Sequence, residues 1–304
     1  MTLSPGPDFE TLFDPHFLSR VGEMTLRIAA AQKGGRLAEQ RTLARGQGSD
    51  FADFKPYVAG DDLRAIDWNI YRRLAKPFVR VFEERQDLPV YFLLDASHSM
   101  FLENPPRILP AMQAVLALAA IAAAQHDAVN LLSFGDTVTP RLRNVSGKGA
   151  AMRVASALAE QDPAGKTELS AAIAELSAIR LRRGLTVIVS DFFDNGGIGN
   201  VLRALDTLEH RILLIQLVRE SDADPTLLAD FSGDFDVEDG ESDTATQISV
   251  TPDLLDRYRA AYGDFTARID EYVKGRGTTL IRIDADGDVI DQLAATLVGA
   301  GPLP

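Results

Sequence analysis

The chain has 304 residues, 46% of them hydrophobic and 25% charged, and it contains no cysteine. This composition is typical of a globular protein with one large or two modest domains. The lack of cysteine excludes disulfides, thiolate metal sites and cysteine nucleophiles. A formal net charge of −13 argues against a general nucleic-acid-binding function, because phosphate binding needs a basic face.

The N-terminal residues predict no targeting segment. Residues 1–10 carry acids and prolines instead of a basic start followed by an apolar core. The longest apolar run, 111–124, is interrupted by Gln113 and is too short to span a bilayer. We therefore expect a cytoplasmic protein without a transmembrane segment.

Charge is distributed unevenly along the chain. Residues 20–85 hold thirteen Lys and Arg against nine acids, whereas residues 222–243 hold nine acids and no base. One basic and one acidic region favour docking to other proteins. An ordinary solvated surface explains the same pattern equally well.

The first part of the chain combines a helix, a loop and a strand. Apolar residues recur at three- and four-residue steps over 9–33, which predicts a helix that Gly34-Gly35 ends. The glycine-punctuated stretch 45–49 predicts a loop. Residues 76–84 alternate and predict a strand at an edge of the main sheet or leading into it.

Between these elements, residues 51–68 interleave acids, aromatic residues and one arginine without a regular period. This pattern predicts a structural network in which Arg64 pairs with one of its neighbouring aspartates. An interface with another protein is the alternative. The residues concerned are Tyr57, Asp61, Asp62, Arg64, Asp67 and Trp68.

Short apolar strands alternate with helices over the rest of the chain. This order predicts an α/β fold with a doubly wound, mainly parallel sheet and helices on both faces. The predicted strands are 90–94, 128–134, 138–142, 185–190, 211–218 and 278–283. The predicted helices are 108–125, 150–161, 168–181, 198–209, 252–274 and 289–298. We divide the chain into an N-terminal segment, 1–86, packed on the core, and an α/β domain, 87–304, with an acidic excursion at 221–246.

Five oxygen-bearing side chains lie at the predicted carboxyl edge of this sheet. Asp95, Ser97 and Ser99 follow the first buried strand, Thr167 opens a helix, and Asp191 follows a later strand. The carboxyl ends of parallel strands face one crevice. Two carboxylates and three hydroxyls suit Mg²⁺, with Mn²⁺ or Ca²⁺ as alternatives. The same residues would also serve as turn and helix caps.

Enzymatic alternatives lack supporting motifs. Gly165-Lys166-Thr167 resembles the end of a phosphate-binding loop, but Glu160 stands where the first glycine belongs, and no strand precedes it. The nucleophile motif Gly-x-Ser-x-Gly is absent. A Mg²⁺-dependent phosphohydrolase using Asp95 and a metal-free structural scaffold remain as alternatives to a binding function.

The five residues resemble, in type and in order, the metal-ion-dependent adhesion site of von Willebrand factor A domains. A second resemblance lies upstream and is more specific. The signature of a bacterial family, domain of unknown function 58, is similar to Phe54-x-x-Tyr57-x-x-Gly60-Asp61-Asp62-x-Arg64-x-Ile66-Asp67-Trp68 followed by Glu83-Glu84. The resemblance covers about residues 10–300.

The resemblance implies a von Willebrand factor A-like fold and a metal site. Ser97, Ser99 and Thr167 would contact the metal directly, Asp95 and Asp191 would do so through water, and a partner's acidic residue would fill the sixth position. It also implies an adaptor or assembly factor, and not an enzyme, that acts with a MoxR-type AAA+ ATPase. Many relatives begin with two membrane-spanning helices, which this chain lacks, so membrane placement is not carried over.

Overall fold

The computed structural model describes residues 9–34, 45–83, 88–179, 181–227, 234–238 and 245–299. The chain forms two compact units. Unit 1 comprises residues 1–31 and 88–304, and unit 2 comprises residues 32–87. The predicted domain boundary after residue 86 lies beside one of these breaks, and the N-terminal helical residues belong to unit 1.

The described residues form ten strands and eleven helices over the two units. In chain order the strands are β1 (Arg45–Pro56), β2 (Phe78–Glu83), β3 (Pro89–Asp95), β4 (Ala128–Phe134), β5 (Val138–Val145), β6 (Leu185–Ser190), β7 (Arg211–Val218), β8 (Asp234–Glu238), β9 (Ala245–Ser249) and β10 (Thr279–Asp284). The helices are α1 (Phe9–Leu12), α2 (Pro15–Gly34), α3 (Trp68–Leu74), α4 (Ser99–Leu102), α5 (Ile108–Ala124), α6 (Ala150–Ala159), α7 (Leu169–Ala178), α8 (Ile198–Leu205), α9 (Glu220–Ala223), α10 (Pro252–Arg276) and α11 (Val289–Gly299).

Unit 1 is built on a six-stranded sheet with the strand order β10-β7-β6-β3-β4-β5. Neighbouring strands are parallel except for β4 and β5, which pair antiparallel. All seven residues of β3 are buried, because a central parallel strand is covered on both faces. The predicted α/β class with a mainly parallel sheet is confirmed.

Helices cover both faces of this sheet. Val90, Phe92 and Leu94 of β3 belong to one buried apolar cluster, which also contains residues of α5, α6 and α11. Tyr91 and Leu93 point the other way and belong to a second cluster, with residues of α7, α8 and α10. Successive side chains of a strand face opposite sides, so the alternation divides the core into two layers.

Helices α1 and α2 complete the first layer. Phe13 and Phe17 are buried in the cluster that contains α5, and Arg20 forms ion pairs with Asp288 and Asp291 at the start of α11. Asp14 interrupts the predicted single helix, and its carboxylate accepts a hydrogen bond from the amide of Phe17. Among the described helices, none combines the length and apolarity needed to cross a membrane.

Unit 2 differs from its sequence-based description. Its described part contains β1 and β2 as an antiparallel pair of their own, with irregularities in register. The stretch 45–49 was predicted as a loop but begins β1, and β2 pairs with β1 and not with a strand of the main sheet. The short helix α3 was not predicted, because its seven residues show no apolar period.

The acidic excursion contains the first strand of a short antiparallel pair. Strands β8 and β9 pair antiparallel with Asp234 opposite Ser249, while residues 228–233 and 239–244 of the excursion lie outside the described residues. Its first part includes helix α9, which the sequence did not predict. Helix α10 follows with Thr251 as N-cap, whose hydroxyl accepts from the amide of Leu254, and with Pro252 in its first turn.

Candidate metal centre

Three loop segments meet at the carboxyl edge of the sheet. The amide of Ala96 donates to the carbonyl of Phe134, and the amide of Ala164 donates to the carbonyl of Ala96. The amide of His98 donates to the carbonyl of Gly165. These backbone bonds fix the segment after β3 against the segment before α7, which brings Ser99 and Thr167 together.

Close packing of this loop pair depends on glycine. A Cβ on Gly135 would lie 1.5 Å from the carbonyl oxygen of Ala164, and a Cβ on Gly165 would lie 2.2 Å from a carboxylate oxygen of Asp136. Gly165 also has a φ of +83°, a left-handed conformation. The same Asp136 carboxylate accepts from the amide of Lys166 at 2.8 Å. That amide is consequently occupied, which argues against the phosphate-loop alternative.

The three hydroxyl groups form a continuous row. The Ser97 and Ser99 Oγ atoms are 3.0 Å apart, and the Ser99 Oγ and Thr167 Oγ1 atoms are 3.2 Å apart. Ligand oxygens about 2.1 Å from an octahedral Mg²⁺ are themselves about 3 Å apart at adjacent positions. Each neighbouring pair in the row therefore has the spacing of adjacent oxygen ligands around one small cation.

Asp95 is buried and held by hydrogen bonds through both carboxylate oxygens. Its Oδ1 accepts from the Ser97 amide at 3.0 Å and from the Ser97 hydroxyl at 2.6 Å, and its Oδ2 accepts from the Ser190 hydroxyl at 2.6 Å. Asp95, Ser97 and Ser190 are each 0% exposed. Because Ser97 donates its proton to Asp95, the lone pairs of the serine oxygen are left to face the row of hydroxyls.

Ser190 was not among the predicted site residues. Its hydroxyl donates to Asp95 and accepts from the amide of Phe192 at 2.9 Å, so it joins the ends of β3 and β6. The available signal was its position beside Asp191 at the end of a buried strand, where a polar side chain needs a partner. The identity of that partner depends on strand order, which the local sequence does not contain.

Asp191 is buried close to Asp95, and its Oδ1 atom accepts from the amide of Phe193 at 3.0 Å. Burial, with the added repulsion of the Asp95 charge, raises the pKa of Asp191 to about 7, and Arg107 opposes this increase in part. A neighbouring carboxylate and a low-dielectric environment both disfavour the ionised form. A bound cation would relieve both effects.

A buried ionic cluster lies next to Asp191. Arg107 is 4% exposed and donates to Asp222 and Glu103, and Arg219 contacts Glu103 and Asp286. Burial lowers the pKa of Arg107, but hydrogen bonds to Asp222 and Glu103 outweigh it and hold this pKa above its ordinary value. Both arginines are thus engaged by acids of their own cluster.

The structure thus brings all five predicted residues into one crevice. The donor set has two carboxylates and three hydroxyls, which fits a hard divalent cation. The described residues contain no group of three or more His, Cys, Asp and Glu side chains arranged around a metal position, so a site here would depend on hydroxyl ligands.

The residues of the predicted box lie in unit 2 and mostly cap turns. Asp62 accepts from the backbone amide of Arg64, Asp67 accepts from the amides of Asn69 and Ile70 at the start of α3, and Lys55 pairs with Asp61 at 2.5 Å. The expected ion pair of Arg64 with an aspartate stays a prediction. Short aspartate side chains bind nearby amides at a lower entropy cost than a distant guanidinium.

The aromatic residues of the box are partly exposed. Trp68 is 60% exposed and packs edge-on against Tyr71, with ring centroids 6.0 Å apart. Tyr57 is half-buried, and its amide donates to the carbonyl of Pro77. Whether this surface is an interface with another protein stays a prediction.

The sequence model of the family described as "Protein of unknown function DUF58" matches residues 53–268. This match spans well over half of the chain, so the protein belongs to that family. An uncharacterized protein of Mycobacterium tuberculosis is 28% identical over 291 residues, covering 90% of this chain and 87% of that protein. An uncharacterized protein of Mycobacterium bovis gives the same values.

Several solved structures are similar to the chain. One is conserved hypothetical protein BatB from Bacteroides thetaiotaomicron, which is 12% identical with a TM-score of 0.41. The similarity covers 70% of this chain and 98% of that one. An aerotolerance-related membrane protein from Bacteroides fragilis is 17% identical, with a TM-score of 0.40 and coverage of 68% and 96%. Manganese-loaded Plasmodium vivax TRAP protein is 19% identical, with a TM-score of 0.33 and coverage of 42% and 57%. Similarities at this level assign no ligand or partner to this chain.

Proposed function

We propose that this protein is a metal-dependent protein-interaction module and not an enzyme. The observation that supports it is the row of three hydroxyl oxygens beside two buried carboxylates at the carboxyl edge of the sheet. Ser97, Ser99 and Thr167 would hold the cation directly, and Asp95 and Asp191 would hold it through water. Mg²⁺ is the proposed ion, with Mn²⁺ or Ca²⁺ as alternatives.

The role of each residue follows from its hydrogen bonds. Asp95 orients Ser97, and Ser190 orients Asp95, so the first hydroxyl of the row has a fixed direction. A cation held mainly by neutral hydroxyls keeps most of its charge for a further anionic ligand. That ligand would be a carboxylate of a partner protein, which we propose to be a MoxR-type AAA+ ATPase, with this chain as its adaptor or assembly factor.

The phosphohydrolase alternative receives less support. A nucleophilic carboxylate needs an oxygen free to attack, whereas both oxygens of Asp95 accept short hydrogen bonds from serine hydroxyls. A metal-free scaffold would leave the raised pKa of Asp191 without a compensating ion.

Binding of Mn²⁺, followed by electron paramagnetic resonance and titration calorimetry, tests the proposal. We expect one site per chain in the wild type and its loss in Ser97→Ala/Ser99→Ala. Ser177→Ala, which removes an exposed helical hydroxyl bonded only to its own helix, should bind Mn²⁺ as the wild type does. Equal Mn²⁺ binding by the wild type and the double variant would refute the site. If the wild type hydrolyses a phosphomonoester and Asp95→Ala abolishes this turnover, the result would favour the phosphohydrolase alternative.

A further inference from the structure

An exposed aromatic surface lies directly beside the candidate metal centre. Phe193, two residues after Asp191, is 42% exposed, although Phe192 between them is 1% exposed. Large aromatic side chains at such exposure are typical of contact surfaces. We call Phe193 together with Tyr258, Tyr262 and Phe265 of α10 the aromatic platform.

Hydrogen bonds within residues 190–193, which follow the end of β6, fix the backbone position of Phe193. Its amide donates to Asp191 Oδ1, and the amide of Phe192 donates to Ser190 Oγ. Phe192 has a φ of +67°, an uncommon conformation for a bulky residue, which directs the chain back toward α10. The backbone position of Phe193 is thereby coupled to the orientation of the Asp191 carboxylate.

Helix α10 supplies the rest of the platform. The Phe193 ring stacks on Phe265 with centroids 4.9 Å apart and planes inclined by 19°, and Tyr262 lies 6.4 Å from Phe193. Tyr258 lies one turn before Tyr262 on the same helix face and is 41% exposed. The rings of Phe193, Tyr262 and Phe265 are held against one another, so a ligand would cost the protein little conformational entropy on binding them.

We infer that the partner segment bound at the metal centre carries a large apolar side chain within about two residues of its metal-binding carboxylate. This inference rests on the proposed function. Asp191 and Phe193 are two residues apart, and two residues of extended chain span at most about 7 Å. A partner whose carboxylate lies over the crevice therefore places its neighbouring side chains over Phe193 and α10. An aromatic or aliphatic residue there gains buried area, whereas a charged residue would lose hydration.

The test uses a phage-displayed library of random dodecapeptides, selected on the full chain in Mn²⁺. We expect enriched peptides to contain Asp or Glu with Phe, Trp, Leu or Met no more than two residues away. Fluorescence anisotropy of an enriched peptide should show at least tenfold weaker binding to Phe193→Ser and partial recovery in Phe193→Leu, which retains apolar packing.

Two further variants separate contact from folding. Tyr258→Ser removes an exposed ring on α10 and leaves the sequence of the loop after β6 unchanged, and we expect a several-fold loss of affinity. Met152→Ser changes an apolar side chain of similar exposure, 52%, on a helix of the opposite sheet face, and should bind the peptide as the wild type does.

The outcomes of the inference and of the proposed function are distinct. Absence of Mn²⁺ binding in the wild type would refute the proposed function itself. If wild type and Phe193→Ser both bind Mn²⁺ normally, the inference can be judged separately. It is overturned if the enriched peptides lack the apolar neighbour or if no acidic peptide is enriched. It is also overturned if Phe193→Ser and Tyr258→Ser bind the peptide with wild-type affinity.

Discussion

Replacement of Asp191 by Asn should stabilise the metal-free protein at neutral and alkaline pH. Burial and the charge of Asp95 raise the pKa of Asp191 from an ordinary 3.8 to about 7. Each unit of this difference corresponds to about 1.4 kcal/mol, so ionised Asp191 costs the folded state about 4 kcal/mol above pH 7. Asn keeps an oxygen for the Phe193 amide and carries no charge.

The sign of the pH dependence follows from proton binding. Between about pH 4 and pH 7 the folded state holds the Asp191 proton, whereas the unfolded state has released it. The free energy of unfolding therefore falls as the pH rises through this range and levels off above it. This contribution is absent in Asp191→Asn, so the two proteins should converge near pH 4 and differ most at pH 8.

Urea unfolding in EDTA at pH 4 to 8, followed by far-ultraviolet circular dichroism, measures this difference. Circular dichroism is preferable to fluorescence because the single tryptophan, Trp68, lies in unit 2. Asp256→Asn, which neutralises an acid that is 80% exposed on α10, should stay within about 0.5 kcal/mol of the wild type. Equal or lower stability of Asp191→Asn at pH 8 would refute the argument from burial and repulsion.

Three further substitutions probe the framework of the site. Ser190→Ala leaves the buried Asp95 oxygen without its donor and should lower the free energy of unfolding by about 1–3 kcal/mol in urea titrations. Arg107→Ala removes the partner of the buried acids and should lower the free energy of unfolding by about 3–5 kcal/mol. Arg183→Ala breaks an ion pair whose arginine side chain is 80% exposed, and should lower it by less than about 1 kcal/mol. Gly135→Ala places a methyl group 1.5 Å from a carbonyl of the facing loop, and should lower both the melting temperature and the Mn²⁺ affinity.

Each of these effects has a contrary result. If Ser190→Ala is as stable as the wild type, water replaces the lost donor. If Arg107→Ala and Arg183→Ala lower the free energy of unfolding equally, the buried cluster contributes no more to stability than an exposed ion pair. The control for Gly135→Ala is Gly199→Ala. A Cβ on Gly199 would meet nothing within 4 Å, and Gly199 lies in α8, where alanine has a higher helix propensity than glycine. Destabilisation by both glycine substitutions would remove the close approach as the cause.

The sheet of unit 1 was predictable because burial on both faces constrains each strand locally. A strand such as Leu185–Ser190 is buried at five of its six positions, and its central residues 187–189 are all apolar. Strand β1 does not follow this apolar pattern. Its twelve residues include two glycines, two aspartates and a proline, and its pairing with β2 is irregular. Residues with low strand propensity are held there by a partner strand, which no local pattern reveals.

Helix α3 shows a second limit of sequence patterns. Its existence depends on Asp67 at the N-cap and on Ala75, which ends it with a φ of +52°. Seven residues are too few for an apolar period to stand out. The capping aspartate is visible in the sequence, but it is one of three candidates for pairing with Arg64, because side-chain pairing and backbone capping use the same residue type.

The candidate ligands could be predicted, whereas the charge balance around them could not. The residues Asp95, Ser97, Ser99, Thr167 and Asp191 each stand at an element end, which the sequence reveals. The cluster beside them joins Glu103 and Arg107 to Asp222, which is 115 positions from Arg107 in the chain. Its two arginines face three acids, Glu103, Asp222 and Asp286, and so supply no surplus positive charge to Asp191. Had Arg107 been free to pair with Asp191, the crevice would be electrostatically complete. Since it is not, the proposed divalent cation is the charge that would favour the ionised form of Asp191 inside the fold at neutral pH.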